Sequence, residues 1–113
     1  MQDFPKKNRL LSKKDFSQMR TRDTCVSRGQ SLLIISKINK LDNSRLGLAI
    51  SKKAGNAVVR NTIKRVSREF FRKKEFSINK DYLIINKKTI NFKKYTTEEI
   101  KKSIKSDLER SFR

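Results

Sequence analysis

The stretch Lys52-Lys-Ala-Gly-Asn-Ala-Val-Val-Arg-Asn-Thr-Ile-Lys-Arg-Val-Ser-Arg-Glu-Phe-Phe-Arg72 decides how the chain is read. It reads as a strand exit, a tight turn and a helix with two opposed faces. Asn56 suits the N-cap, where its side-chain oxygen accepts from a backbone N–H that the helix leaves unpaired. Gly55 permits the sharp turn before it. No Gly or Pro follows from Ala57 to Arg72, so nothing breaks the helix. On a wheel of roughly 100° per residue, Val59, Ile63, Val66 and Phe70 fall within about 60° of one another and form a core-facing stripe. Arg60, Asn61, Lys64, Arg65, Arg68 and Arg72 spread over an arc of about 140° on the opposite side. Glu69 is the only acid between Lys52 and Lys74. Arg60, Lys64, Arg68 and Arg72 are spaced so that like charges stack, each neighbouring pair costing an isolated helix roughly 0.2–0.5 kcal/mol. A polyanion laid along that side removes the repulsion.

The rest of the chain points the same way. Its 113 residues suit one domain with one modest core. Net charge is +19, from 30 Lys and Arg against 11 Asp and Glu. That excess opposes compaction by self-repulsion and implies an anionic partner, nucleic acid before a membrane surface. The longest apolar run, Leu32-Leu-Ile-Ile35, is too short to span a bilayer. Lys6, Lys7 and Arg9 lead into more charge rather than into an apolar signal segment, so a cytoplasmic location is expected. Histidine is absent and Cys25 is single, which removes the commonest general base, a disulfide framework and a Cys-rich zinc site. The acids are few and scattered, so the polypeptide is poorly equipped for hydrolysis by itself.

Working outward, residues 1–11 read as a basic N-terminal arm, for which phosphate contact and a frayed terminus are both open. A short helix is expected from Ser12, with Leu11, Phe16 and Met19 on one face. From the pattern alone Phe16 reads as core, with stacking on a base as the alternative. Thr21 to Gln30 reads as polar and turn-like. Ser31 to Ile38 is expected as a strand, Asn39 to Ser44 as a loop and Arg45 to Ser51 as a second strand, the loop length suiting an antiparallel hairpin. In that second strand Leu46, Leu48 and Ile50 alternate with the small Gly47, Ala49 and Ser51, so one face enters the core and the other admits a close neighbour. Tyr82 to Asn86 is apolar enough for a central strand. Ile90, Phe92 and Tyr95 are expected to pack in the loop beyond it. Thr96 and Glu99 form a capping box for a last helix with Ile100, Ile104, Leu108 and Phe112 inward. Its other faces, Asp107 included, read as ordinary solvated surface. The order α-β-β-α-β-α describes an α+β fold, a two-layer α/β sandwich with helices on a small, mainly antiparallel sheet.

The pattern Lys52-Lys-x-Gly-Asn-Ala-Val-x-Arg-Asn-x-x-Lys-Arg65 resembles the signature of the bacterial ribonuclease P protein subunit. Lys7-Asn-Arg-Leu10, Asp15-Phe16 and Asp81-Tyr82 support it, and the resemblance covers nearly the whole chain. It implies a single RNA-binding domain over residues 1–113. It implies binding to a large catalytic RNA and to precursor tRNA, and together with that RNA endonucleolytic removal of the 5′ leader. The RNA then carries the chemistry and holds most of the Mg²⁺, the protein alone is inactive, and no obligate protein partner is expected. By motif match the catalytic RNA is met by Lys52, Lys53, Arg60, Asn61, Lys64, Arg65 and Arg68. The leader is met by Phe16, which reverses the core reading, and by Ser51. The resemblance further implies a left-handed β-α-β crossover, where pattern reasoning alone selects a right-handed one. This chain departs from the family at Thr62, third in an Arg-Asn-Arg triplet, at Arg20, where close relatives can carry a second aromatic, and at Ile34 and Ile35, which offer no aromatic. The alternative reading is a ribosomal or RNA-chaperone protein with no associated reaction.

Overall fold

Leu83-Ile-Ile85 carries apolar side chains in succession, so a strand built from it must be covered on both faces. The computed structural model describes Met19, residues 24–87 and residues 95–112. In chain order it contains β1 (Cys25–Arg28), β2 (Leu32–Ile38), β3 (Arg45–Ala49), a 3-10 turn (Lys52–Ala54), α1 (Ala57–Lys73), β4 (Lys80–Asn86) and α2 (Thr97–Ser111). The four strands form one sheet in the order β1-β2-β4-β3. β4 is antiparallel to β2 and parallel to β3, with α1 as the crossover between β3 and β4. On one face Leu32, Ile34, Leu46, Tyr82 and Ile84 share a core with both helices. On the other, Leu83 packs with Met19, flanked by Ile35 and Ile85.

The mixed α+β sandwich is therefore as expected, with two differences. Residues 25–28 form an edge strand rather than a turn, paired antiparallel to β2 with Val26 opposite Ile35. The short Cys-Val-Ser-Arg run has no apolar alternation of its own, and only pairing makes it a strand. The expected β2–β3 hairpin is absent, because β4 lies between the two strands. The connecting loop crosses two strand spacings, about 10 Å, which six extended residues span easily. Burying β4 on both faces outweighs the local convenience of a hairpin. The loop is tied to the start of β4, where Asn39 Nδ2 donates to Asp81 Oδ1 at 2.8 Å and Asn79 Nδ2 donates to the Leu41 carbonyl at 3.0 Å. Arg45 grips Asp81, its register partner, with Nε–Oδ1 at 2.9 Å and Nη2–Oδ2 at 2.7 Å. That bidentate geometry adds direction as well as attraction.

α2 follows its predicted stripe, with Ile100, Ile104, Leu108 and Phe112 all buried. Its capping box is formed: Glu99 N–H donates to Thr96 Oγ1 and Thr96 N–H donates to Glu99 Oε1. The Thr96 backbone N–H holds the Glu99 carboxyl below its usual value. Phe112 closes the far end, stacked on Tyr82 at 4.6 Å between ring centroids and edge-on to Phe70 and Phe71. Tyr95, expected to pack, is exposed. Phe16 and Leu11 of the expected first helix lie outside the described residues, as do Ile90 and Phe92, whereas Met19 is buried.

Asp107 corrects the reading of α2 as plain solvated surface on its polar faces. It is 2% exposed, and its carboxylate accepts three backbone N–H groups of the β1–β2 turn: Gln30 at 3.0 Å, Ser31 at 2.8 Å and Leu32 at 3.0 Å. A Cβ at Gly29 would stand 2.3 Å from Asp107 Cγ, so the turn admits only glycine at that close approach. Ser103 and Ser111, one turn to either side, bond through their hydroxyls to Ser31 and Ser27. A polar seam thus fastens α2 to the sheet's edge while the apolar stripe fastens it to the core.

Two tests follow from this packing. Asp107→Asn keeps the shape but turns an N–H₂ toward donors, and should cost roughly 2–3 kcal/mol in denaturant unfolding; a loss under about 0.5 kcal/mol, within the range of surface substitutions, would contradict the seam. Burial raises the Tyr82 phenol above its usual value. The unfolded chain therefore ionises first as pH passes about 10. Tyr82 contributes stability that is whole below that pH and is lost as pH rises through the folded value. Stability measured against pH should accordingly fall more steeply in the wild type than in Tyr82→Phe at alkaline pH, and superimposable curves would refute it.

Candidate nucleic-acid interface

α1 begins where the sequence places it. Asn56 caps it, accepting from Val59 N–H at 3.0 Å. Gly55 has φ +152°, and a Cβ there would stand 2.9 Å from Val59 Cβ. The turn is thus closed to side chains on both counts. Within the helix, Thr62, Ile63, Val66, Ser67 and Phe71 are buried, while Val59 and Phe70 are half-buried against the core. The buried arc is wider than the predicted stripe, because α1 packs on both the sheet and α2. Thr62 belongs to that inner side. It is 6% exposed and its hydroxyl donates to the Val58 carbonyl at 2.9 Å.

The polar side carries the site residues. Lys52 and Lys53 are exposed in the 3-10 turn, and Asn61, Arg65 and Arg68 are exposed on α1. Arg60 and Lys64 are half-buried, and Arg60 Nε is buried without a hydrogen-bond partner among the described residues. Among the described residues none of these cations forms an ion pair, whereas Arg45 and Lys101 do. The first turn of α1 contains no acid to meet the positive end of its dipole. Repulsion along the ridge costs roughly 0.2–0.5 kcal/mol per pair, and burying Ile63 or Val66 returns roughly 1.5–3 kcal/mol each. The core therefore holds the helix together against the repulsion of its own charges.

Ser51, just before the turn, is exposed. Its N–H donates to Asn86 Oδ1 at 2.7 Å and its Oγ accepts from Asn86 Nδ2 at 3.0 Å. The sequence reading takes Asn86 only as the last residue of a strand, since nothing local displays a side-chain partner 35 positions away. The seven residues matched to the catalytic RNA thus lie on one turn and one helix, with Ser51 beside them. Phe16 lies outside the described residues.

Residues 4–111 match the family model for ribonuclease P. The chain belongs to the ribonuclease P protein family. It is 40% identical over 100 residues to the ribonuclease P protein component of Citrifermentans bemidjiense, covering 85% of each chain. To the component of Bacillus velezensis it is 39% identical, covering 88% of this chain and 84% of that one. The solved structure of the Staphylococcus aureus RNase P protein superimposes with a TM-score of 0.75 at 32% identity, over 94% of this chain and 98% of that one. The Thermotoga maritima RNase P protein shares the fold, with a TM-score of 0.67 at 24% identity over 90% of this chain and 96% of that one. As a ribonuclease P protein component the chain serves tRNA processing, and the ribosomal or RNA-chaperone alternative finds no support. No helix among the described residues is long and apolar enough to cross a membrane.

Thr62, where a ribonuclease P signature carries a further Arg, now has a physical reading: its side chain is committed to the inner side of α1. Thr62→Val should leave the salt dependence of binding to ribonuclease P RNA unchanged. Arg65→Ala should flatten the slope of log affinity against log salt by about 0.7–0.9, one released counterion. The reverse pattern would place the contact at the wrong residue.

Proposed function

We propose that the α1 ridge docks on the catalytic RNA of ribonuclease P, and that the protein grips the 5′ leader of precursor tRNA while the RNA performs the cleavage. The observation that carries this reading is Arg60, Lys64, Arg65 and Arg68, without an ion pair among the described residues, on one side of a helix whose other side is locked in the core. Lys52, Lys53, Arg60, Asn61, Lys64, Arg65 and Arg68 supply phosphate contacts, and release of condensed counterions drives association. The planar Arg fork suits backbone phosphate oxygens better than a point charge does. Phe16 offers a stacking face to the leader, and Ser51 offers the leader a hydroxyl. Ala49, a small exposed residue on the sheet face away from the helices, leaves room for a strand to approach at that end of β3. Contacts of this kind grip backbone and stack bases without reading base edges.

The polypeptide brings no general base of the usual kind, having no histidine. Among the described residues no group of three His, Cys, Asp or Glu is placed to hold a metal. On this reading Mg²⁺ is held mainly by the RNA, and the protein binds, orients and neutralises. The site of action is the cytoplasm, where precursor tRNA is made and trimmed in bacteria.

The test is reconstitution. Added to a bacterial ribonuclease P RNA at limiting Mg²⁺, the protein should stimulate cleavage of precursor tRNA, and without RNA it should cut nothing. Cleavage by the isolated chain would sink the division of labour. Phe16→Ala should weaken binding of leader-bearing precursor by roughly 1–3 kcal/mol and leave leaderless tRNA unaffected; equal losses would mean that Phe16 is packing.

A further inference from the structure

β3 ends at Ala49, yet its pairing with β4 continues for one more step through a side chain. Asn86, on β4, is 4% exposed, and both ends of its amide meet Ser51. A backbone N–H can only donate, so the amide oxygen must face Ser51 N–H. The amide nitrogen is then left facing Ser51 Oγ, and an amide nitrogen cannot accept a hydrogen bond. The hydroxyl hydrogen of Ser51 therefore cannot turn toward Asn86. It points away, and Ser51 is exposed, with Lys52 and Lys53 next in the chain and also exposed. Extended backbone at Ser51, φ −83° and ψ 164°, carries the chain out of the strand and into the 3-10 turn.

We propose that Asn86 is a positioning residue that makes Ser51 an outward donor for a phosphate oxygen of the precursor-tRNA leader. This rests on the reading of Ser51 as a leader contact. A phosphate oxygen only accepts, so a hydroxyl free to rotate serves it less well than one whose lone pair is already engaged. Such a contact carries no information about base identity, since every leader nucleotide presents the same acceptor. The flanking ammonium groups draw the phosphate in, and the hydroxyl fixes where it sits.

The experiment uses holoenzyme reconstituted with a bacterial ribonuclease P RNA and compares affinity for leader-bearing precursor with affinity for leaderless tRNA. Ser51→Ala and Asn86→Ala should each weaken the precursor roughly threefold to tenfold, one hydrogen bond's worth, and leave leaderless tRNA unchanged. In the Ser51→Ala background, Asn86→Ala should add nothing. Ser51→Thr, which keeps the hydroxyl, should retain wild-type discrimination. Asn86→Asp is the second variant, should Asn86→Ala fold poorly: its carboxylate accepts from both Ser51 N–H and O–H, turns the hydroxyl inward and should lose leader affinity with the turn intact. Equal losses for both tRNAs, or an Asn86→Ala loss that persists in the Ser51→Ala background, would reduce Asn86 to structural support and overturn the proposal. So would full leader discrimination in both single variants. Unimpaired assembly of Arg65→Ala is a separate result and would overturn the ridge reading instead.

Discussion

A helix that must bury one side while the other is strongly cationic sets the terms for this molecule. α1 carries Arg60, Lys64, Arg68 and Arg72 along one side, with Glu69 as its single acid. Left alone in water such a helix repels itself. It persists because Ile63, Val66 and Phe71 are locked into a core shared with β4 and α2. Stability and the proposed RNA contact are thus drawn from opposite sides of one element. The core supplies the order, and the ordered charges are what an RNA backbone can meet without first having to arrange them.

Everything else in the fold keeps that helix in place. β4 is central because it is apolar on both faces, and it ties together β2, β3 and the aromatic group of Phe71, Phe76, Tyr82 and Phe112. α2 is the back wall of α1, and it is held by two kinds of force. Its apolar stripe is non-directional and tolerates sliding. The Asp107 carboxylate and the serines beside it are directional and set the register of helix against turn. A buried carboxylate with three backbone donors and a glycine beneath it leaves little freedom for α2 to shift.

Much of this was legible in the residues. The Asn56 cap, the Gly55 turn, the two faces of α1, the alternation of Leu46 and Leu48 with Gly47 and Ala49, the capping box and the inward stripe of α2 are all local. Each depends on spacing within one element, and spacing is what a sequence displays. The signature from Lys52 to Arg65 is likewise contiguous, so the ridge residues of the candidate interface could be named before the fold was known. What escaped was the strand order, the edge strand at residues 25–28, and the burial of Asp107 and Asn86. A polar residue announces neither its partner nor its burial when that partner is 75 or 35 positions away, as in Leu32 with Asp107 or Ser51 with Asn86.

The amino-acid order by itself determined which helix is cationic, where it starts, that Ile63 and Val66 face inward and, through its motif, to which family the chain belongs. These follow from periodicity and local backbone chemistry, which act over a few residues. The tertiary structure alone decided that β4 parts β2 from β3, that α2 is bolted to the β1–β2 turn by a buried carboxylate, and that Ser51 is polarised by an amide on a neighbouring strand. Those outcomes are settled by competition among distant surfaces for burial and among distant groups for hydrogen bonds, and no short stretch of sequence contains both competitors.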